Sequence, residues 1–312
     1  MNVLVTGGAG FIGSHLVDAY LARGDRVTVL DDLSSGRAEN LNPQARLVQL
    51  DLAGEPSPLL DLFRREYFEL VNHHAAQIDV RRSVADPAGD AQINVIGTLN
   101  LLEACVQAGV AGIIFASSGG VLYGEVPGPS AAETAPKQPL SPYGVAKLAV
   151  EHYLFVFKQL HGLHYLTLRY GNVYGPRQDP QGEAGVVAIF AAKLRSGEPA
   201  VIYGDGEQSR DYVHVADVAR ANLLASERLE LLNRRPAASI DELAFNIGTG
   251  AATSVNRLYQ LLCRQLQLER PAVQAPPRPG ELQRSLLDGR KAQRLLGFQP
   301  QYDLEAGLGL LD

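Results

Sequence analysis

Three side chains near the middle of the sequence have the types and spacing needed to move a proton. Tyr143 and Lys147 stand four residues apart in Tyr143-Gly144-Val145-Ala146-Lys147, so on a helix they share one face. An ammonium beside a phenol favours the phenolate and draws its pKa toward neutrality. That makes Tyr143 a candidate general base for a hydroxyl undergoing oxidation. Ser118, in Ala116-Ser117-Ser118-Gly119-Gly120, follows the apolar run 113–115. A hydroxyl at the carboxyl end of a strand lies where open α/β sheets bind ligands, and it can hydrogen-bond a substrate oxygen and relay its proton. Ser117 is the second choice for this role. The same types also suit a core tyrosine, a solvated lysine and turn serines that cap backbone groups. The chemistry therefore depends on what these residues face.

A nucleotide site at the start of the chain supplies that context. Gly7-Gly8-Ala9-Gly10-Phe11-Ile12-Gly13 reads Gly-x-x-Gly-x-x-Gly, directly after the apolar run Val3-Leu4-Val5 and at the head of a helical pattern. This strand–turn–helix context is what the dinucleotide fingerprint requires. Gly7 permits the tight turn, Gly10 clears the approach of a pyrophosphate, and Gly13 lets helix and strand pack closely. The helix start then offers free N–H groups and a positive dipole end to phosphates. Asp31 closes the second apolar run, 27–30, at the spacing of a residue that accepts a hydrogen bond from an adenosine ribose. A carboxylate there repels a 2′-phosphate, so the expected cofactor is NAD rather than NADP. A nicotinamide cation would add to Lys147 in favouring the Tyr143 phenolate. Asp51, after the third run, suits either an adenine contact or a surface loop.

The elements that must position these groups follow from the hydrophobic pattern. Runs 3–5, 27–30, 47–50, 70–72 and 113–115 alternate with helical patterns at 11–21, 59–67 and 94–108. Such alternation means βαβ units and a parallel sheet, and right-handed crossovers make it doubly wound. Residues 124–142, rich in proline, glycine and small polar types, are expected to form a loop over the site. A helix is expected over 143–160, a strand over 166–169, a glycine- and proline-rich segment over 171–185, and a helix over 186–196. A proline cluster spans 275–280. The fold class expected is α/β: a Rossmann-like doubly wound parallel sheet with a smaller, discontinuous C-terminal substrate domain. We assign 1–170 and 213–248 to the first and 171–212 and 249–312 to the second.

Composition narrows the class further. The 312 residues are 46% hydrophobic and 20% charged, which argues against disorder. Lys and Arg total 28 and Asp and Glu 34, a net charge of −6, so neither nucleic acid nor a membrane surface is an expected partner. Cys105 and Cys263 show no metal-type spacing and suit reduced thiols in the cytoplasm. No metal site, signal peptide or transmembrane span is expected.

With these motifs in order, the chain resembles the extended short-chain dehydrogenase/reductase superfamily. Within it, the chain looks most like the UDP-glucose 4-epimerases of the NAD-dependent epimerase/dehydratase group. The resemblance runs through Thr6-Gly7-Gly8-Ala9-Gly10-Phe11-Ile12-Gly13-Ser14, Asp31-Asp32-Leu33-Ser34-Ser35-Gly36, Ser117-Ser118 with Tyr123-Gly124, and Ser141-Pro142-Tyr143-Gly144 to Lys147. It continues through Leu168-Arg169-Tyr170-Gly171-Asn172-Val173-Tyr174-Gly175-Pro176 and Arg210-Asp211-Tyr212-Val213-His214-Val215-Ala216-Asp217. It implies that Asp32, Leu33, Ser34, Ser35 and Gly36 line the adenosine side, and that Asp51 and Leu52 flank adenine. Ala75 and Ala76 would pass the pyrophosphate and ribose, Asn94 would lie behind the cofactor, and Tyr170 would sit near the nicotinamide amide. Asn172, Arg210 and Arg278 match positions that hold the nucleotide-sugar diphosphate and uridine, with Glu281 at the uridine ribose and Tyr203 near the base. Arginine forks suit diphosphate oxygens.

The reaction implied is inversion at C4 of a UDP-hexose through a transient 4-keto sugar, with Tyr143, Ser118 and Lys147 as the catalytic set, and a homodimer formed through the helices from Asn94 and Tyr143. Ser285 falls where some epimerases carry a bulky tyrosine, so an N-acetylated sugar would have room. Two departures stand out. His73-His74 replaces a single histidine followed by a variable residue, and Gly119-Gly120 lengthens the stretch before Tyr123. Gly119 and Gly120 also stand where related 4,6-dehydratases carry an Asp-Glu pair, which counts against dehydration. A UDP-glucuronate 4-epimerase, a 4,6-dehydratase, a decarboxylase and a non-catalytic dinucleotide sensor remain the alternatives.

Overall fold

The computed structural model describes residues 1–126, 128–181, 185–268, 270–278 and 282–311. Its strands are β1 (Asn2–Thr6), β2 (Arg26–Asp31), β3 (Arg46–Gln49), β4 (Leu70–His73), β5 (Gly112–Ser118), β6 (His164–Tyr170), β7 (Asn172–Tyr174), β8 (Val201–Tyr203), β9 (Ser209–His214), β10 (Ala244–Ile247), β11 (Ala252–Ser254), β12 (Val273–Ala275) and β13 (Arg284–Ser285). The helices are α1 (Phe11–Ala22), α2 (Pro56–Glu66), α3 (Val80–Ala85), α4 (Pro87–Ala91), α5 (Gly97–Ala108), α6 (Gly119–Leu122), α7 (Pro142–His161), α8 (Val186–Ser196), α9 (Val215–Asn233), α10 (Val255–Gln265), α11 (Arg290–Leu296) and α12 (Leu304–Leu308).

Seven strands form one sheet in the order β10-β6-β5-β4-β1-β2-β3, with every pairing parallel. The order reverses direction between β1 and β4, which opens a crevice at the carboxyl ends of those strands. Strands buried on both faces must be apolar throughout, and Val3, Leu4, Val5, Val29, Val71, Ile113, Ile114, Leu166 and Leu168 are completely buried. Helices α1 and α9 pack together and α2 packs on α5, and the apolar residues around this sheet form the main core. A second, smaller core gathers Tyr174, Phe190, Leu194, Tyr212, Leu258 and Leu262. Beside it, β9 pairs with β7, β11 and β13, and β8 pairs with β12.

Two expectations needed correction. The helix expected over 94–108 begins its α-helical part at Gly97, because residues 92–96 form a wider π turn. The 19-residue α9 was not anticipated; its N-cap is His214, whose ring accepts from the Ala216 N–H, and histidine is not among the residues that usually signal a helix start. The expected loop over 124–142 is irregular as far as Ser141, and α7 then begins at Pro142.

Candidate functional site

The glycine turn is set first by close backbone contacts. Gly7 has φ +67° and donates its N–H to Leu30 O at 2.8 Å, tying the turn to β2. A Cβ on Gly13 would stand 2.1 Å from Gly7 O, so α1 can pack this close only without a side chain there. The N-cap of α1, Gly10, brings no side chain to the first amides, so they remain available to an anion. Phe11 and Ile12 are half-buried in the first turn. This is a cradle shaped for a pyrophosphate, and the residues present fit a dinucleotide.

Asp31 does more than the sequence indicated. Its carboxylate accepts from Ala9 N and from Leu33 N, each at 2.9 Å, so it joins the glycine turn to the turn that follows β2. Burial raises its pKa against the pull of these donors. Asp32 accepts from both the N–H and the hydroxyl of Ser34. Ser35 and Gly36 complete the turn; a Cβ on Gly36 would press against Asp31 Oδ1 at 2.8 Å. Each Asp31 carboxylate oxygen accepts once and keeps a further lone pair for a ribose. Asp51 is exposed and accepts from Ala53 N, while Leu52 beside it is buried. Ala75 and Ala76 follow β4, and a Cβ on Gly7 would lie 2.6 Å from Ala75 N. Buried Asn94 accepts from Gln77 N and donates to Gln77 O and Asp90, holding this segment from behind.

Tyr143 and Lys147 share the first turns of α7, whose start is fixed by Pro142 and by the Ser141 hydroxyl, an acceptor for Gly144 N. Lys147 is buried. It donates to Ala116 O at 2.9 Å, and its Nζ lies 4.8 Å from the Phe115 ring centroid and 5.7 Å from that of Tyr143. Burial lowers its pKa to about 8, against the opposing pull of Asp90 and Glu151.

The structure separates the two serines. Successive residues of a strand point to opposite faces. Buried Ser117 donates to Glu151 at 2.6 Å, whereas Ser118 is half-buried at the end of β5. Ser117 therefore belongs to the supports and Ser118 remains the candidate hydroxyl. Sequence reasoning missed those supports. Arg169 in β6, fully buried, donates through Nε and Nη2 to Glu151 of α7 and also reaches Asp241, the Tyr123 hydroxyl and Glu133 O. An arginine within an apolar strand was the available signal, since such a charge must be paired.

Asn172 opens β7 opposite Tyr212 of β9. A Cβ on Gly120 would lie 3.7 Å from Asn172 Oδ1 and 3.8 Å from Ser118 Oγ, so the Ser118 and Asn172 side chains lie together beside Gly120. Arg210 lies on β9, paired in register with Ser285 of β13. Gly119, Tyr123, Arg284 and Ser285 line a common cleft. The Arg278 guanidinium stacks over the Tyr203 ring at 3.8 Å, bringing two of the expected uridine-side residues together. Glu281 lies outside the described residues. Tyr170, paired in register with Ser118, is buried, and burial raises its pKa far above the ordinary value.

The chain matches the NAD dependent epimerase/dehydratase family over residues 3–248. A UDP-glucose 4-epimerase of Mycolicibacterium smegmatis is 45% identical over 318 residues, covering 99% of this chain and 96% of its own. The crystal structure of the Thermotoga maritima UDP-glucose 4-epimerase with UDP-glucose is similar at TM-score 0.93 and 48% identity, covering 99% of this chain and 97% of that one. The Thermus thermophilus UDP-glucose 4-epimerase in complex with NAD gives TM-score 0.90 and 46% identity over 99% and 97%. By sequence and by structure, this chain belongs to the NAD-dependent epimerase/dehydratase family.

Proposed function

We propose that this protein is an NAD-dependent 4-epimerase of UDP-hexoses that interconverts UDP-glucose and UDP-galactose. The observation that carries the reading is the buried Lys147 ammonium 5.7 Å from the Tyr143 ring, with Ser118 Oγ and Asn172 Oδ1 both within 4 Å of the Gly120 Cβ position. NAD would be held by residues 7–13 and 31–36, and when bound it supplies a reversible hydride acceptor for C4 of the sugar. Tyr143 takes the 4-hydroxyl proton. Lys147, with its ammonium buried near the phenol ring, stabilises the phenolate that proton uptake requires. Ser118 orients the sugar oxygen and relays the proton. Asn172, Arg210 and Arg278 anchor the UDP diphosphate and uridine, with Tyr203 and Glu281 beside them, so that the 4-keto sugar turns over without leaving.

Inversion is favoured over 4,6-dehydration by Gly119 and Gly120. Dehydration needs an acid and a base near C5 and C6, and neither glycine brings one. A side chain at 119 would also strike Leu287, whose nearest atoms lie 2.7 Å from the Cβ position. Small Ser285, in register with Arg210, leaves room for an N-acetyl group at C2. We also propose a homodimer. Val145, Tyr153, Val156 and Leu160 of α7 and Ile96 ahead of α5 are exposed apolar residues on the two helices expected to meet a second copy. A reducing, cytoplasmic setting suits the two free cysteines; among the described residues no helix is long and apolar enough to cross a membrane.

The test is incubation of purified protein, without added NAD, with UDP-galactose and separately with UDP-N-acetylgalactosamine. The 4-epimer should form from UDP-galactose, and from the second sugar if Ser285 leaves the room inferred. Return of both sugars unchanged would remove the epimerase reading.

A further inference from the structure

Asp211 of β9 is a buried carboxylate that the proposed mechanism leaves unused. On its own strand it stands between Arg210, which pairs in register with Ser285 of β13, and Tyr212, which pairs in register with Asn172 of β7. Its Oδ1 accepts from the Thr249 N–H and from the Thr249 hydroxyl, each at 2.7 Å. Its Oδ2 accepts from the Gly250 N–H at 3.1 Å and, more distantly, from the Leu287 N–H at 3.4 Å. All four donors are neutral. Burial raises the Asp211 pKa and these donors oppose the rise. Three segments meet here: β9, the turn that follows β10 of the seven-stranded sheet, and the chain that leaves β13.

The meeting is tight. A Cβ on Gly248 would stand 2.3 Å from Asp211 Oδ2, and one on Gly171 would stand 2.8 Å from Asp211 O. Gly171 is the step into Asn172, and its own N–H donates to Ile247 O of β10 at 2.9 Å. Leu287 follows Ser285 by two residues, and its side chain lies 2.7 Å from the Cβ position of Gly119. On the other edge of this segment, Ala131 donates to Leu286 O at 2.8 Å and accepts from Asp288 N at 2.9 Å. Asn172, Arg210 and Ser285 thus each stand within two residues of a contact made by Asp211.

A carboxylate can hold this junction and its amide cannot. Asparagine has one accepting oxygen. Its NH₂ group would face the Gly250 and Leu287 N–H groups donor to donor or, turned over, the Thr249 N–H. We propose that Asp211 is a positioning residue for the UDP-sugar grip, setting Asn172, Arg210 and Ser285 relative to one another and to the seven-stranded sheet. This rests on the UDP-hexose reading above.

Two variants of the NAD-loaded enzyme test it. Asp211→Asn should raise the Kd for UDP and the KM for UDP-galactose together by about tenfold, the scale of one hydrogen bond to a charged group, with kcat at saturating sugar unchanged. A merely structural role gives another pattern. Part of the protein would be inactive, so kcat per total enzyme would fall while KM and Kd stayed as in the wild type, and that result overturns the proposal. Thr249→Val removes one donor and leaves the carboxylate. It should move Kd and KM in the same direction by a smaller factor, and it carries the test if the asparagine variant fails to fold; unchanged values there overturn the proposal as well. Wild-type protein that binds no UDP would contradict the substrate reading itself.

Discussion

At the scale of single residues, the chemistry rests on how two charges are handled. Burial leaves Lys147 with a pKa near 8, so its ammonium is present below that pH and is lost as pH rises through it. In the proposed mechanism the phenolate of Tyr143 depends on that ammonium. We therefore expect kcat/KM for UDP-galactose to fall above about pH 8. Lys147→Arg, slower throughout, should lack this alkaline limb because a guanidinium stays charged; an identical limb in the variant would assign it to another group. Tyr143→Phe should lower turnover by about 10²- to 10⁴-fold while NAD remains bound, the range for loss of a general base. Tyr143 and Lys147 were legible in the sequence because their relation is local, one turn of one helix. The structure favours Ser118 over Ser117 as the candidate hydroxyl for a reason the sequence only half contained. Strand alternation separates them, but which face meets the crevice depends on Glu151, 34 residues on.

At the scale of elements, α7 must hold its catalytic face against the ends of β5 and β6. Glu151 does this from below, accepting from Ser117 of β5 and from Arg169 of β6. Removing its charge leaves Arg169 buried with only Asp241, itself partly exposed, as a carboxylate partner. Breaking a buried pair in this way costs about 3–5 kcal/mol. Glu151→Gln should lower denaturant stability by about that amount, and a change below about 1 kcal/mol would show that Asp241 suffices. The strands of the sheet were legible because a strand buried on both faces is written as an unbroken apolar run. The π turn at 92–96 was not, since a single widened turn shifts the helix face without breaking the apolar pattern. Nor was α9, which starts on His214 without a glycine or proline between it and β9. Tyr203 and Arg278 are brought together by pairing β8 with β12, whose partners such as Val201 and Val273 are 72 residues apart in sequence, a long-range contact that no local pattern announces.

At the scale of the whole molecule, the parallel sheet reverses its order between β1 and β4, and a second, smaller core packs apart from the main one. Exposed Val145, Val156 and Leu160 form a stripe on α7 at four- and eleven-residue spacing, which places them on one side of the helix. A chain of 33.6 kDa should then sediment at about twice that mass, and Val156→Asp with Leu160→Asp should reduce it to the monomer; a wild-type monomer would contradict the homodimer. The central claim is that hydride leaves C4 and returns to the same carbon within one site. UDP-galactose carrying deuterium at C4, given to the purified protein without added NAD, tests it most directly. The account predicts UDP-glucose with the deuterium retained at C4 and no net NADH. Loss of the label to solvent, or a product that has lost water, would contradict it.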